Sequence, residues 1–343
     1  MSSTQSRLKR IILTTKPLSS EGEKLAANVT QDGYEVLLPT DLKSNDDDNR
    51  VEIILLDSAR PDQMHILSSE NLARFPNLKL IQSTRAGVDA LRFEDISQNV
   101  QVCGNVGAYG DQIAEHVFGM ILYFARNLGV SNQELARGAW QIPQSIFLKG
   151  KTILVLGAGG IGEPVARVAS TLGMKTIGLN TSGRPVPNFE HVVPLDRLDE
   201  VLKIADVIVI ALPLTVKTFH LIDESKLSIM KPATILVNVA RGHIISEKAL
   251  FEHLKDNPDF KCGLDVWWHY PKRGETFAQR FPFFELSNVL GTPHDSGIVP
   301  ETDEIALLSS IENIGRFVRS EPLRGLMNRN DYLGLKELIA RAE

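Results

Sequence analysis

The stretch Thr152-Ile153-Leu154-Val155-Leu156-Gly157-Ala158-Gly159-Gly160-Ile161-Gly162 runs five strand-forming residues straight into a cluster of four glycines. A helical pattern, Glu163–Leu172, follows, and a second strand pattern, Lys175–Leu179, comes next. G-x-G-x-x-G alone recurs in many turns and carries little. Set between a strand and a helix, each glycine acquires a purpose. The first makes the tight turn, the second lets a pyrophosphate approach the backbone, and the third packs helix on strand. The helix start then offers unpaired N–H groups and the positive end of its dipole to phosphate. Gly157, Gly159, Gly160, Ile161 and Gly162 are therefore assigned to a dinucleotide cofactor.

Outward from this loop, short β-rich runs alternate with helical ones. Strands are expected at Arg10–Thr14, Tyr34–Leu38, Val51–Leu56 and Leu78–Ser83. A second series is expected at Thr152–Leu156, Lys175–Leu179, Val207–Ala211, Thr234–Asn238 and Val289–Gly291. Helical patterns cover Ser20–Gln31, Pro61–Ala73, Ile161–Leu172 and Ser246–Lys255. Such alternation builds parallel sheets, and strands apolar on both faces fit sheets covered by helices on both sides. The 343 residues correspond to two domains of about 100–200 residues each. The fold class expected is therefore α/β, with two doubly wound domains. Asp111–Arg126 reads as one long helix between them, and Pro300–Arg319 as a late helix placed to return to the first domain. The expected division is a dinucleotide-binding domain at 106–297 inserted into a substrate domain made of 1–105 and 298–343.

The residues closing the second strand of the nucleotide-binding half select the cofactor. NAD sites usually place Asp or Glu there to take the ribose hydroxyls. This chain reads Leu179-Asn180-Thr181-Ser182-Gly183-Arg184, with no carboxylate. Hydroxyls and a guanidinium suit the 2′-phosphate of NADP through charge-assisted hydrogen bonds. Asn180, Thr181, Ser182 and Arg184 thus favour NADP, with NAD as the alternative.

Composition narrows the remaining classes. Lys and Arg number 37 against 42 Asp and Glu, a net −5, so no basic excess points to nucleic acid. Apolar stretches such as Ala205–Leu214 are ten residues long, far short of the ~20 needed to span a bilayer. Met1–Arg10 lacks the apolar core of a secretory signal. Cys103 and Cys262 stand alone in apolar surroundings, the pattern of buried thiols in a reducing compartment. The acidic run Ser44–Arg50 reads as a solvated turn, and no His, Cys and carboxylate spacing fits a metal. A cytoplasmic protein, bound to neither membrane nor nucleic acid, is expected.

Three more segments follow the glycine loop in order: Asn238-Val239-Ala240-Arg241-Gly242, Gly263-Leu264-Asp265-Val266 and Thr292-Pro293-His294. Upstream stand Thr84-Arg85-Ala86-Gly87-Val88-Asp89 and Ile113-Ala114-Glu115-His116. Together they make the chain, from about Leu78 to Gly297, resemble the D-isomer-specific 2-hydroxyacid dehydrogenase family. The resemblance implies a Rossmann domain inserted into a flavodoxin-like substrate domain, with the site in the cleft. It also implies hydride transfer between nicotinamide C4 and a small 2-keto or 2-hydroxy acid, as in glyoxylate/hydroxypyruvate reductases. Arg241 then anchors the carboxylate and polarises the carbonyl through its fixed fork. Ala86 and Gly87 offer backbone N–H groups to the same carboxylate. His294 is the proton donor, a role suited to a group whose ordinary pKa is about 6.5. Asp265 faces the nicotinamide, and Leu212, Pro213 and Val239 join the cofactor contacts. A homodimer built by the nucleotide domain is implied too, with Phe124–Trp140 as an arm.

One position departs from the family. Its relatives usually carry a glutamate before the proline of this stretch, where it supports the catalytic histidine. Here the chain reads Asp265-Val266-Trp267-Trp268-His269-Tyr270-Pro271, so Tyr270 takes the glutamate's place. A phenol stabilises imidazolium far less than a carboxylate does, so reduction by His294 is expected to fall off at a lower pH than in those relatives. Three readings stay open: a reductase that works with a neutral partner, a formate-dehydrogenase-type enzyme, and a catalytically weak NADP(H)-binding sensor. Retention of Arg241 and His294 speaks against loss of catalysis. Asn105 lies ten residues before Glu115, a spacing that suits the hydroxyacid branch better than the formate branch. His116 reads as a packed helix residue, and His220 and His243 as turn residues. Whether Trp267 and Trp268 face substrate or core is left open.

Overall fold

The computed structural model of the protein describes residues 9–30, 33–56, 66–272 and 274–342. They fall into two compact units, one of residues up to Ala108 with those from Pro300 onward, the other Tyr109–Val299.

In the first unit, β1 (Arg10–Thr14), β2 (Tyr34–Leu37), β3 (Val51–Leu56), β4 (Leu80–Ser83) and β5 (Gln101–Cys103) form an all-parallel sheet in the order β2-β1-β3-β4-β5. This is the flavodoxin-like strand order. β3 is buried at all six positions, which explains its unbroken apolar character apart from Glu52. Helices Ser20–Thr30 and Thr302–Val318 supply Ala26, Val29, Leu307, Ile311 and Ile314 to a cluster with Ile12, Ile53 and Leu80. The late helix thus joins the sheet of the chain's first strands. Glu52 is the charge at the centre of β3. Burial opposes its ionisation, but Lys79, Tyr34 and Arg10 outweigh that and hold its carboxyl below the usual range.

Two expectations change here. The acidic run is a one-turn helix, Asn45–Asp48, capped by the Ser44 hydroxyl, which accepts from the Asp47 N–H. Asp48 is buried because Arg74, distant in sequence, reaches it with two hydrogen bonds of 3.1 Å. Of the helix expected at Pro61–Ala73, the described part holds only Ser69–Leu72, and residues 57–65 lie outside the described residues.

In the second unit, β6 (Thr152–Leu156), β7 (Lys175–Asn180), β8 (His191–Pro194), β9 (Val207–Ile210), β10 (Ile235–Asn238), β11 (Lys261–Leu264) and β12 (Val289–Gly291) form a second parallel sheet. Its order is β12-β11-β10-β9-β6-β7-β8. Counted from β6, this is the 3-2-1-4-5-6 arrangement of dinucleotide-binding sheets, with one strand added. Helix Gly110–Ala125 packs beside helix Gly162–Thr171 and against β10 and β11. Gly263 permits the last contact, since a Cβ there would lie 2.8 Å from the Met120 sulfur.

Cys103 and Cys262 are both buried thiols. Burial pushes Cys103 up to about 11 and raises Cys262 as well. No helix among the described residues is long and apolar enough to cross a membrane.

Candidate active site

Parallel pairing carries one register row across the second sheet. Leu179 pairs with Leu156, Leu156 with Ile210, Ile210 with Asn238, Asn238 with Leu264, and Leu264 with Gly291. Every functional segment expected in this unit begins just past that row. Asn180 follows Leu179, Gly157 follows Leu156, Leu212 and Pro213 follow Ile210, and Val239 follows Asn238. Arg241 stands three residues beyond Asn238, Asp265 one beyond Leu264, and His294 three beyond Gly291. Residues more than a hundred positions apart are therefore brought to one carboxyl edge. In doubly wound sheets that edge is where ligands bind.

The glycine loop has the shape its sequence requires. Gly157 has φ +109°, and a Cβ on it would lie 2.5 Å from the Ala211 carbonyl oxygen. A Cβ on Gly162 would lie 2.1 Å from the Gly157 oxygen, whereas one on Gly159 would meet nothing within 4 Å. The first and third glycines are thus fixed by packing, and the second keeps open space over the turn. Ile161 stands at the N-cap of helix Gly162–Thr171 and supplies no side-chain cap. The N–H groups of Gly160, Ile161 and Gly162 have no partner among the described residues, while Glu163 already donates to the Gly159 carbonyl and Pro164 has no N–H. Unpartnered amides at the turn and helix start are the arrangement that phosphate binding uses. This loop fits a pyrophosphate.

At the end of β7, Asn180 organises the turn. Its Oδ1 accepts from the Ser182 N–H at 3.1 Å, and its Nδ2 donates to the Arg184 carbonyl at 2.8 Å. Thr181, Ser182 and Arg184 are exposed, and the Arg184 guanidinium has no hydrogen bond or ion pair among the described residues. Leu212 is half-buried and Pro213 exposed, while the Val239 side chain is buried.

Asn238 is completely buried and shapes the arginine loop. Its Oδ1 accepts from the Ala240 N–H and its Nδ2 donates to the Arg241 carbonyl. Arg241 is half-buried, and one of its N–H groups donates to the Ala240 carbonyl at 2.7 Å. Gly242 lies against the Trp267–Trp268 backbone, where a Cβ would come within 2.5 Å. The two tryptophans belong to the core: both are 5% exposed, and their indole N–H groups donate to the Thr292 and Ile245 carbonyls.

His294 is exposed and has φ +60°, a left-handed backbone that a non-glycine residue holds only when its surroundings impose it. The Tyr270 ring lies beside it, with centroids 5.4 Å apart at 40°. The Tyr270 hydroxyl accepts from the Trp267 N–H at 3.2 Å. Tyr270 therefore stands next to His294 in space, as its place in the family's stretch before Pro271 implies. Asp265, expected against the nicotinamide, has no exposed surface, and its oxygens are turned to the His294 loop instead. His116, read as a packing residue, hydrogen-bonds Thr292 at 3.1 Å. His116, Asp265 and Asp295 form a group of metal-capable side chains whose ligand atoms lie within 4.8 Å of one another. Sequence spacing gave no sign of it, because the three come from a helix and two separate strand ends.

In the first unit, the Thr84–Asp89 loop follows β4. Asn105 is tied inside this unit: its Nδ2 donates to the Thr84 and Ala306 carbonyls and its Oδ1 accepts from Ser309. Such a side chain is a structural brace. Gly104 lies under the loop, where a Cβ would sit 2.3 Å from the Ala86 oxygen. The N–H groups of Ala86 and Gly87 have no partner among the described residues, and both residues are half-buried.

Comparison with known proteins agrees with this architecture. Residues 118–296 match the family described as D-isomer specific 2-hydroxyacid dehydrogenase, NAD binding domain. The chain is 34% identical over 255 residues to a D-3-phosphoglycerate dehydrogenase of Methanocaldococcus jannaschii, covering 73% of this chain but only 48% of that one. It thus spans about half the length of that relative. A hydroxypyruvate reductase of Thermotoga maritima is 31% identical over 241 residues, 69% of this chain and 77% of that one. A crystal structure of a D-isomer specific 2-hydroxyacid dehydrogenase family protein from Aeromonas salmonicida superposes with a TM-score of 0.72 at 30% identity, covering 94% of this chain and 99% of that one. With the family match spanning more than half of its residues, a parallel sheet in dinucleotide-binding order and a glycine loop at its edge, the chain belongs to the D-isomer specific 2-hydroxyacid dehydrogenase family.

Proposed function

We propose that the protein reduces small 2-oxo acids, of the glyoxylate and hydroxypyruvate class, to 2-hydroxy acids with NADP(H). The observation that carries this reading is the register row, which puts the glycine loop, Arg241 and His294 past one sheet edge. The nicotinamide cofactor, when bound, supplies the hydride. The glycine loop and the uncapped helix start hold its pyrophosphate. Arg241 takes the substrate carboxylate with its planar fork and polarises the carbonyl. The N–H groups of Ala86 and Gly87, which have no partner among the described residues, are assigned to a substrate carboxylate as the family resemblance implies. His294 gives the carbonyl oxygen its proton, and Tyr270 supports its ring.

The test is NADPH oxidation with glyoxylate, hydroxypyruvate and branched 2-oxo acids, repeated with Arg241→Ala and His294→Ala. Turnover lost in both variants supports the reading. Formate oxidation without activity on 2-oxo acids would assign the formate-dehydrogenase type instead, and NADPH binding without any turnover would leave a sensor.

NADP is preferred on the strength of the β7 turn. An exposed guanidinium beside two hydroxyls, with no carboxylate to repel a 2′-phosphate, suits the larger cofactor. A charge-assisted hydrogen bond contributes about 1.5–3 kcal/mol, so Arg184→Ala should weaken NADPH binding roughly 10–100-fold. NADH binding should be nearly unchanged, as measured by fluorescence titration. Equal weakening of both would contradict the phosphate assignment.

A homodimer, in a cytoplasmic setting, completes the proposal. Helix Leu128–Ala136 has no buried residue. The chain beyond it presents Trp140, Ile142 and Phe147 at 84%, 87% and 75% exposed, whereas Phe124 is buried within its own unit. Large apolar side chains exposed in succession mark an association surface. The double variant Trp140→Glu, Ile142→Glu should sediment as a monomer, and an unchanged dimer would move the interface elsewhere.

A further inference from the structure

The His294 loop is held by a chain of hydrogen bonds that begins on another element. Asp265 is wholly buried, and three donors reach its carboxylate: the Thr292 hydroxyl at 2.6 Å, the Asp295 N–H at 3.0 Å and the Ser296 N–H at 3.1 Å. All three come from the five residues that have His294 at their centre. A buried carboxylate needs such donors, because nothing else replaces its lost hydration. The Thr292 hydroxyl has a single proton and gives it to Asp265. It must therefore accept from His116, 3.1 Å away, so the His116 Nε2 carries hydrogen. The contact of Gly263 with Met120 lets helix Gly110–Ala125 close on β11. One helical turn back from Met120 is His116, and two residues past Gly263 is Asp265.

We propose that His116 and Thr292 are positioning residues: they orient the Asp265 carboxylate, which in turn pins the Asp295 and Ser296 amides and keeps His294 in its left-handed backbone. The inference rests on the reading of His294 as the proton donor. Its effect is on the aim of the imidazole, and small misplacements of a catalytic group are known to be expensive in rate.

Thr292→Val keeps the shape of the side chain and deletes the hydroxyl. It should lower kcat for 2-oxo acid reduction on the order of 10–100-fold, with NADPH binding unchanged within roughly threefold. Amide hydrogen exchange at Asp295 and Ser296 should accelerate by about tenfold or more, since their local opening becomes easier. Thr292→Ser, which restores the hydroxyl, should recover most of both losses. His116→Asn, which keeps a donor, should be milder than His116→Leu. Unchanged exchange in Thr292→Val overturns the proposal, as does accelerated exchange with full kcat, or a loss that serine fails to recover. If the wild-type chain reduces no 2-oxo acid, the reductase reading fails separately, and the exchange measurement alone decides whether the tether exists.

Discussion

Replacing His294 with alanine should lower kcat for reduction by about 10²–10⁴-fold, the usual contribution of a positioned general acid. The loss should appear in kcat far more than in NADPH affinity, because the glycine loop and the β7 turn, to which the proposal assigns the cofactor, lie elsewhere on the sheet edge. Stopped-flow single turnovers would separate chemistry from release. The companion variant is Tyr270→Glu. Reduction requires the protonated imidazole, so the rate falls as pH rises through the histidine's titration. A carboxylate beside the ring favours imidazolium, and the fall-off should move to higher pH. Tyr270→Phe keeps the packed ring, whose centroid lies 5.4 Å from that of His294, and should leave that limb lower than Tyr270→Glu does. Identical pH profiles for the two variants would remove Tyr270 from the acid–base machinery.

Gly162→Ala should be nearly as damaging by a different route. The added carbon would lie 2.1 Å from the Gly157 oxygen and 3.0 Å from Val155 Cγ1, so backbone must move. Gly157 cannot yield easily, since its backbone is held at φ +109° and runs so close to the Ala211 carbonyl that even a Cβ there would lie 2.5 Å from its oxygen. Overpacking of this kind costs about 1–3 kcal/mol, and a domain of this size should lose roughly 2–4 °C in Tm per kcal/mol. NADPH affinity should fall with it, because the helix start and the turn shift apart. Gly159→Ala is the informative contrast, as its added carbon would meet nothing within 4 Å. It should melt like the wild type and yet bind NADPH more weakly. Should Gly159→Ala bind NADPH normally, the close approach of the pyrophosphate to this residue would be excluded.

Much of the second sheet was legible because most of its strands are runs of apolar residues. β6 and β12 have the expected bounds, and β7, β9 and β10 differ from them by one residue at one end. β5, β8 and β11 escaped notice for physical reasons. They carry polar or small residues such as Gln101, His191 and Gly263 in place of an apolar run, and their strand state comes from pairing with neighbours. The glycine loop could be named from its spacing between strand and helix, whereas Arg241 and His294 were nominated only through the resemblance to the family. Tyr270 could be named only as a departure. The indole rings of Trp267 and Trp268 left no reading in sequence, and burial resolved them as core.

By itself, then, the sequence determined the α/β class and the dinucleotide loop, and its resemblance to the family nominated Arg241 and His294 for the chemistry. Local propensity and motif spacing are sufficient for the first two. Tertiary structure decided which of the remaining polar residues work together. His116, Thr292 and Asp265 stand far apart in the chain, and no periodicity links them. They meet because parallel register aligns Leu264 with Gly291 and because Gly263 lets one helix close on the sheet.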